Sequence, residues 1–113
     1  MKVFIRKDEY IAHGEYIDGK LIVKRGSTIN PRFTSCIKGN SQVLQFRNNA
    51  EYVNSEWQVI EDCFFSSPST AAQFVMGQSR NGFMSWKVET GESLGLYLEL
   101  HGIRKRQHRK KDF

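Results

Sequence analysis

Cysteine and proline are both scarce, with two of each in 113 residues. Cys36 and Cys63 stand far apart and outside any Cys-x-x-Cys pattern. That excludes the disulfide framework of small secreted domains and a cysteine-based zinc site, and leaves two reduced thiols. His13, His101 and His108 complete no ligand set with them at a recognised spacing, so no metal is expected. No apolar run approaches the roughly 20 residues of a bilayer span. The first eight residues bring charges where a secretory signal needs its apolar region. The expected localisation is cytoplasmic, with no membrane partner. Convincing catalytic pairs are missing as well: Asp8-Glu9, Glu61-Asp62 and Glu89 with Glu92 flank strands or turns, where carboxylates meet water. A hydrolase built on Ser67 or Ser69 would lack a general base and an oxyanion signature. Neither enzymatic activity, a cofactor nor a small-molecule substrate is expected.

Aromatics are plentiful, with eight Phe, four Tyr and two Trp. A chain of this length is one domain able to bury its own core. Its net charge of +5 is unevenly placed. Residues 101–113 hold six Lys/Arg (Arg104, Lys105, Arg106, Arg109, Lys110, Lys111) against Asp112. The first hundred residues balance eleven basic against eleven acidic side chains. The chain therefore divides into a neutral body, residues 1–100, and a flexible basic C-terminal tail, residues 101–113.

Along the body, residues 2–6 set Val3 and Ile5 against Lys2, Phe4 and Arg6, a strand pattern. Residues 10–17 and 21–24 form a hairpin closed at Asp18-Gly19, a pair suited to a two-residue turn. Asn30-Pro31 marks a break, and residues 32–40 read as loop. Asn40 or Ser41 caps a helix through Val43, Leu44, Phe46 and Arg47, and residues 57–60 read as a strand. Residues 93–103 fit two patterns. Leu94, Leu96, Leu98 and Leu100 alternate as in a strand, but Ser93 as N-cap and the leucine-rich make-up favour a helix. Strands first, then helices and strands, gives a small α+β domain: an N-terminal β-hairpin region, a mixed or antiparallel sheet and two to three helices.

The organising stretch is residues 64–88. Ser67 is a good N-cap, Pro68 suits the first helical position, and Ala71, Ala72, Phe74 and Val75 share a helix face that ends at Gly77. Arg80-Asn81-Gly82 supplies a turn, and residues 83–88 read as a strand carrying Trp86. The hydroxyls of Ser66, Ser67, Ser69 and Thr70 at a helix N-terminus are either ordinary caps or a phosphate seat. Arg80 and Asn81 are either a solvated turn or contacts to a nucleic-acid backbone or base edge. Trp86 reads as core, with Lys87 as the exposed neighbour able to meet a phosphate. The tail is either a solvated terminus, a general attraction for RNA, or a phosphate clamp; six phosphate contacts on a duplex give a salt slope of about −5.

The ordered set Phe-Ser-Ser-Pro-Ser-Thr-Ala-Ala (65–72), Val-x-Gly (75–77), Arg-Asn-Gly-Phe (80–83), Trp86-Lys87 and a later Gly-x-x-Leu resembles a bacterial domain-of-unknown-function family. That family is found C-terminal to GIY-YIG nucleases and near restriction–modification genes. It is similar to the RAMA (restriction enzyme and adenine methylase associated) domain. With Gly14, residues 21–23 and Gly26-Ser27 the resemblance covers roughly residues 12–98. Phe83 stands where a tryptophan is usual, which puts a pocket needing an indole there in doubt, and the GIY and YIG elements themselves are not recognisable. The resemblance implies an accessory domain in a restriction, defence or nuclease system. The expected function is non-catalytic binding of nucleic acid, duplex DNA before RNA, by Ser66, Ser67, Ser69, Thr70, Arg80, Asn81, Lys87 and the tail. A nuclease or methylase is a further possible partner. The alternative is a protein–protein interaction module, favoured by the neutral body.

Overall fold

A computed structural model describes residues 1–32, 41–78 and 80–102. Three expectations lie outside the described residues: the loop over 33–40 with Cys36, the position of Ile103, and the tail residues Arg104, Lys105, Arg106, Arg109, Lys110 and Lys111. Within them the order is β1 (Lys2–Arg6), β2 (Ile11–Ile17), β3 (Lys20–Val23), α1 (Ser41–Arg47), β4 (Cys63–Phe65), α2 (Pro68–Met76), α3 (Gly82–Ser85) and α4 (Leu94–Leu100). The fold is α+β.

The four strands form one antiparallel sheet in the order β1-β2-β3-β4. The hairpin turns at Asp18 (φ 48°) and Gly19 (φ 85°), both left-handed, as a tight turn between twisted strands requires. Alternation then decides the faces. Val3, Ile5, Ala12, Leu21, Val23, Cys63 and Phe65 point into the core. Lys2, Arg6, Ile11, His13, Ile17, Lys20 and Phe64 are exposed on the other side. The sheet is thus covered on one face and open on the other, as antiparallel sheets can be.

On the covered face α2 buries Ala71, Ala72, Phe74 and Val75. Phe46 of α1 joins Phe65 and Phe74 in edge contacts, with centroids 5.2 and 6.3 Å away. Trp86, Leu94 and Leu98 close the other end, each fully buried. The leucine ambiguity resolves as a helix: Ser93 Oγ accepts from the Leu96 amide at 3.2 Å, and Leu94 and Leu98, one turn apart, face inward.

Two expected strands are not formed. Residues 83–88 do not form a continuous strand: the first of them are helical, and extended backbone resumes at Trp86. Asn81 caps a short helix instead, its side-chain oxygen accepting from the Phe83 amide at 2.9 Å, and only Lys87 makes bridges, to Phe4 and Ser93. Residues 57–60 contribute single bridges from Gln58 and Val59, because Trp57 sits at φ 61°, a left-handed geometry that breaks an extended run.

Candidate nucleic-acid interface

The hydroxyl-rich start of α2 and the Asn81-Gly82 turn form one joint. Ser67 Oγ accepts from the Thr70 amide at 3.2 Å and contacts its hydroxyl at 3.1 Å. Ser69 Oγ accepts from the Gly82 amide at 2.9 Å, thirteen residues away. Trp86 Nε1 donates to the Pro68 carbonyl at 3.1 Å from full burial. The Gly82 backbone lies so close to the Pro68–Ser69 peptide that a Cβ there would fall 2.1 Å from the Pro68 carbonyl carbon. Ser66 takes part differently: its amide donates to Gln42 Oε1 of α1 at 3.2 Å.

This geometry changes how the serine cluster is read. The Ser67 and Ser69 hydroxyls at the first turn of α2 are already engaged, as a cap and as the link to Gly82, which favours the capping reading. We expect Ser67→Ala and Ser69→Ala each to lower stability by about 1–2 kcal/mol through a lost cap and an unpaired amide. Neither change should alter affinity for a duplex. Thermal melts beside anisotropy titrations check this, since a true phosphate seat would show the reverse pattern.

Of the remaining expected contacts, Arg80 is exposed and bonds Gln78 Oε1 through its Nη2. Asn81 is exposed, but its side-chain oxygen is taken by the cap. Lys87 is half-buried, with Nζ donating to the Met84 carbonyl at 3.3 Å. Arg80 also lies near Tyr10, whose hydroxyl is raised above its ordinary pKa by burial, with the Arg80 charge opposing. Cys63 is fully buried, and burial with Asp62 nearby pushes its thiol up to about 12. It therefore stays a protonated core side chain at neutral pH, not a nucleophile.

Arg47 is a residue whose role no sequence pattern announced. It ends α1 yet is only 5 % exposed. Its Nε donates to the Phe74 carbonyl at 3.0 Å and its Nη2 to the Asn30 carbonyl at 2.7 Å. Burial lowers its pKa to about 10, still charged at pH 7.

The open sheet face is a further feature. Its registers align two rows across the strands. Lys2, Glu15, Ile22 and Phe64 form one row, with each adjacent pair in register. In the second, Phe4 pairs with His13, and Lys24 follows at the end of β3, its amide bonded to the His13 carbonyl and its Nζ to Asp62 at 3.0 Å. Asp62 is held below its ordinary pKa by the Arg25 amide first and by Lys24 second. A recess of ≈ 340 Å³ is lined by Lys2, Phe4, His13, Glu15, Lys24 and Glu89, among others. Among the described residues no group of three His, Cys, Asp or Glu is arranged to hold a metal, and no helix is long and apolar enough to cross a membrane.

An open-faced four-stranded antiparallel sheet, backed by α2 and locked at the Ser69–Gly82 joint, defines a small α+β domain of one architecture. The model of the family described as a domain of unknown function, DUF4357, matches residues 3–97, and the chain belongs to that family. The match runs from Val3 in β1 to Tyr97 in α4, so all of the sheet except Lys2, and the joint, fall inside it. No curated protein and no solved structure matches the chain.

Proposed function

We propose that the chain is a non-catalytic nucleic-acid-binding accessory domain acting on duplex DNA in a restriction, defence or nuclease system. The observation that carries this reading is the charge distribution: the whole net charge of +5 resides in the last thirteen residues, beyond a neutral body. A dense basic arm supplies phosphate neutralisation without sequence reading, and the folded body then orients it. Arg80, exposed beside the α2–α3 joint, is the body residue best placed to add a phosphate contact. The resemblance of the Ser-Pro-Ser and Asn-Gly-Phe motifs to nuclease-associated and RAMA domains supports the setting.

The test is fluorescence anisotropy on one labelled duplex over a salt series. It compares the full chain, a full-length form with the six tail Lys/Arg changed to Gln, and Arg80→Gln in both backgrounds. We expect a log–log salt slope of about −6 for the full chain and of about −1 without the tail charges, the remainder being the Arg80 contact. Arg80→Gln should weaken binding a few-fold in either background. Absence of binding by the full chain at physiological salt would remove the reading. It would favour the second one, a protein-docking module, which draws on the neutral body and on exposed Phe64, Met84 and Leu100.

A further inference from the structure

We propose that the open face of the sheet is a seat for single-stranded nucleic acid, where unpaired bases stack on Phe4, His13 and Phe64 and the lysines Lys2 and Lys24 hold phosphates. The proposal rests on the nucleic-acid reading above and names the strand state that the folded body takes.

Three observations meet on this face. The first is its planar side chains. Phe4 and His13 are directly opposed on β1 and β2, a separation of about 5 Å between side-chain roots. Phe64 stands on β4 with 62 % of its surface exposed, where an open sheet face ordinarily carries polar residues. Arg6 lies 4.6 Å from the Phe4 ring centroid, adding a guanidinium plane to the same platform. Aromatic rings and guanidinium planes spread over a sheet suit splayed bases, whereas a duplex keeps its bases stacked on one another and offers them no face.

The second is the recess itself. At ≈ 340 Å³ it falls in the range of small-ligand sites, and its lining brings Lys2 and Lys24 together with Glu15 and Glu89; a phosphate at Lys24 takes the place of its ion pair with Asp62. Carboxylates repel phosphate but accept hydrogen bonds from exocyclic amino groups such as cytosine N4. In the proposed seat the base edges therefore meet the carboxylates and the phosphates meet the lysines.

The third is continuity with the tail. A neighbouring recess of ≈ 270 Å³ shares Lys2 and Glu89 with the first and reaches Tyr97. The Tyr97 ring stacks on His101 with centroids 4.0 Å apart. The basic residues begin at Arg104, three positions further on. A strand leaving the sheet face over Lys2 thus arrives at the root of the cationic arm.

The experiment uses a labelled mixed-sequence single strand of about twelve nucleotides and the same sequence as a duplex, at one salt concentration. The proteins are the full chain, the tail-Gln form, and Phe64→Ser, His13→Ala and Phe64→Trp in both backgrounds, each checked by thermal melting. The tail-Gln form is expected to prefer the single strand. Phe64→Ser and His13→Ala should each weaken single-strand binding by about 5- to 100-fold and leave the duplex unchanged. Phe64→Trp should bind as the parent does, with its indole fluorescence quenched on binding. Equal losses on both probes, or no loss on the single strand, overturn the seat. So does a change in self-association as the sole effect of Phe64→Ser, which would make the face a protein contact. Tail-dependent duplex binding together with single-strand binding that ignores the face variants rejects the seat and leaves the broader reading standing; no binding of either probe by the full chain rejects both.

Discussion

Gly82→Ala is expected to cost about 3 kcal/mol or more and to lower the melting temperature by roughly 10–20 °C. The reason is steric. The added methyl would sit 2.1 Å from the Pro68 carbonyl carbon, 2.2 Å from the Ser69 nitrogen and 2.3 Å from the Pro68 oxygen, all backbone atoms. A flexible side chain could turn aside, but a peptide plane at the start of α2 cannot. Relief requires α3 to move off α2, which stretches the Gly82–Ser69 and Trp86–Pro68 hydrogen bonds and opens space beside a fully buried indole. A loss of that size is a large part of the stability of a domain this small. Differential scanning calorimetry on the variant checks it, and Ser69→Ala in the Gly82→Ala background tests the coupling. Because both changes act on one joint, the double variant should lose less than the two single losses combined. A Gly82→Ala protein melting within a few degrees of the parent would mean that the two helices are not held at this distance.

The same joint separates what the residues disclosed from what they hid. Ser67, Pro68 and Gly77 announced α2 because caps and stops act within a turn of the helix they bound. Asp18-Gly19 likewise announced the hairpin, and Ser93 announced α4. At α3 the residues after the Arg80-Asn81-Gly82 turn read as a strand, and the helix prevailed because Gly82 is pinned to a peptide far back in the chain and Asn81 caps the turn locally. Trp57 misled in the same way, since a left-handed bulky residue is a tertiary outcome. For the candidate site, the tail was legible as charge alone. The platform of Phe4, His13 and Phe64 was not, because it depends on the pairing of β3 with β4 across nearly forty intervening residues. Ser66, Ser67, Ser69 and Thr70 fitted two readings, caps or a phosphate seat, because the pattern that opens a phosphate seat also opens a helix locked onto a neighbour.

Arg47→Met should destabilise the domain by about 2–5 kcal/mol, and Arg47→Lys by about half as much. The last turn of α2 shows why. A helix leaves its final carbonyls without intrahelical donors, and here each finds one. The Gln73 carbonyl accepts from the Gly77 amide at 2.8 Å, and Phe74 from Arg47 Nε at 3.0 Å. Val75 accepts from the Asn30 amide at 2.9 Å, and Met76 from Asn30 Nδ2 at 3.0 Å. Arg47 then donates to the Asn30 carbonyl at 2.7 Å, so one guanidinium ties the end of α2 to the segment that caps the rest of it. Its charge also complements the negative end of the α2 dipole, and its guanidinium lies 5.7 Å from the Trp57 ring. Methionine fills similar volume but leaves the Phe74 and Asn30 carbonyls buried without these donors. Lysine restores the charge, yet one ammonium lacks the planar fork that serves two carbonyls at once. Urea unfolding of the three proteins measures the differences, and an Arg47→Met chain as stable as the parent would show that water reaches those carbonyls. Neither change touches the open sheet face, so at temperatures where the variants remain folded their affinity for nucleic acid should match the parent's.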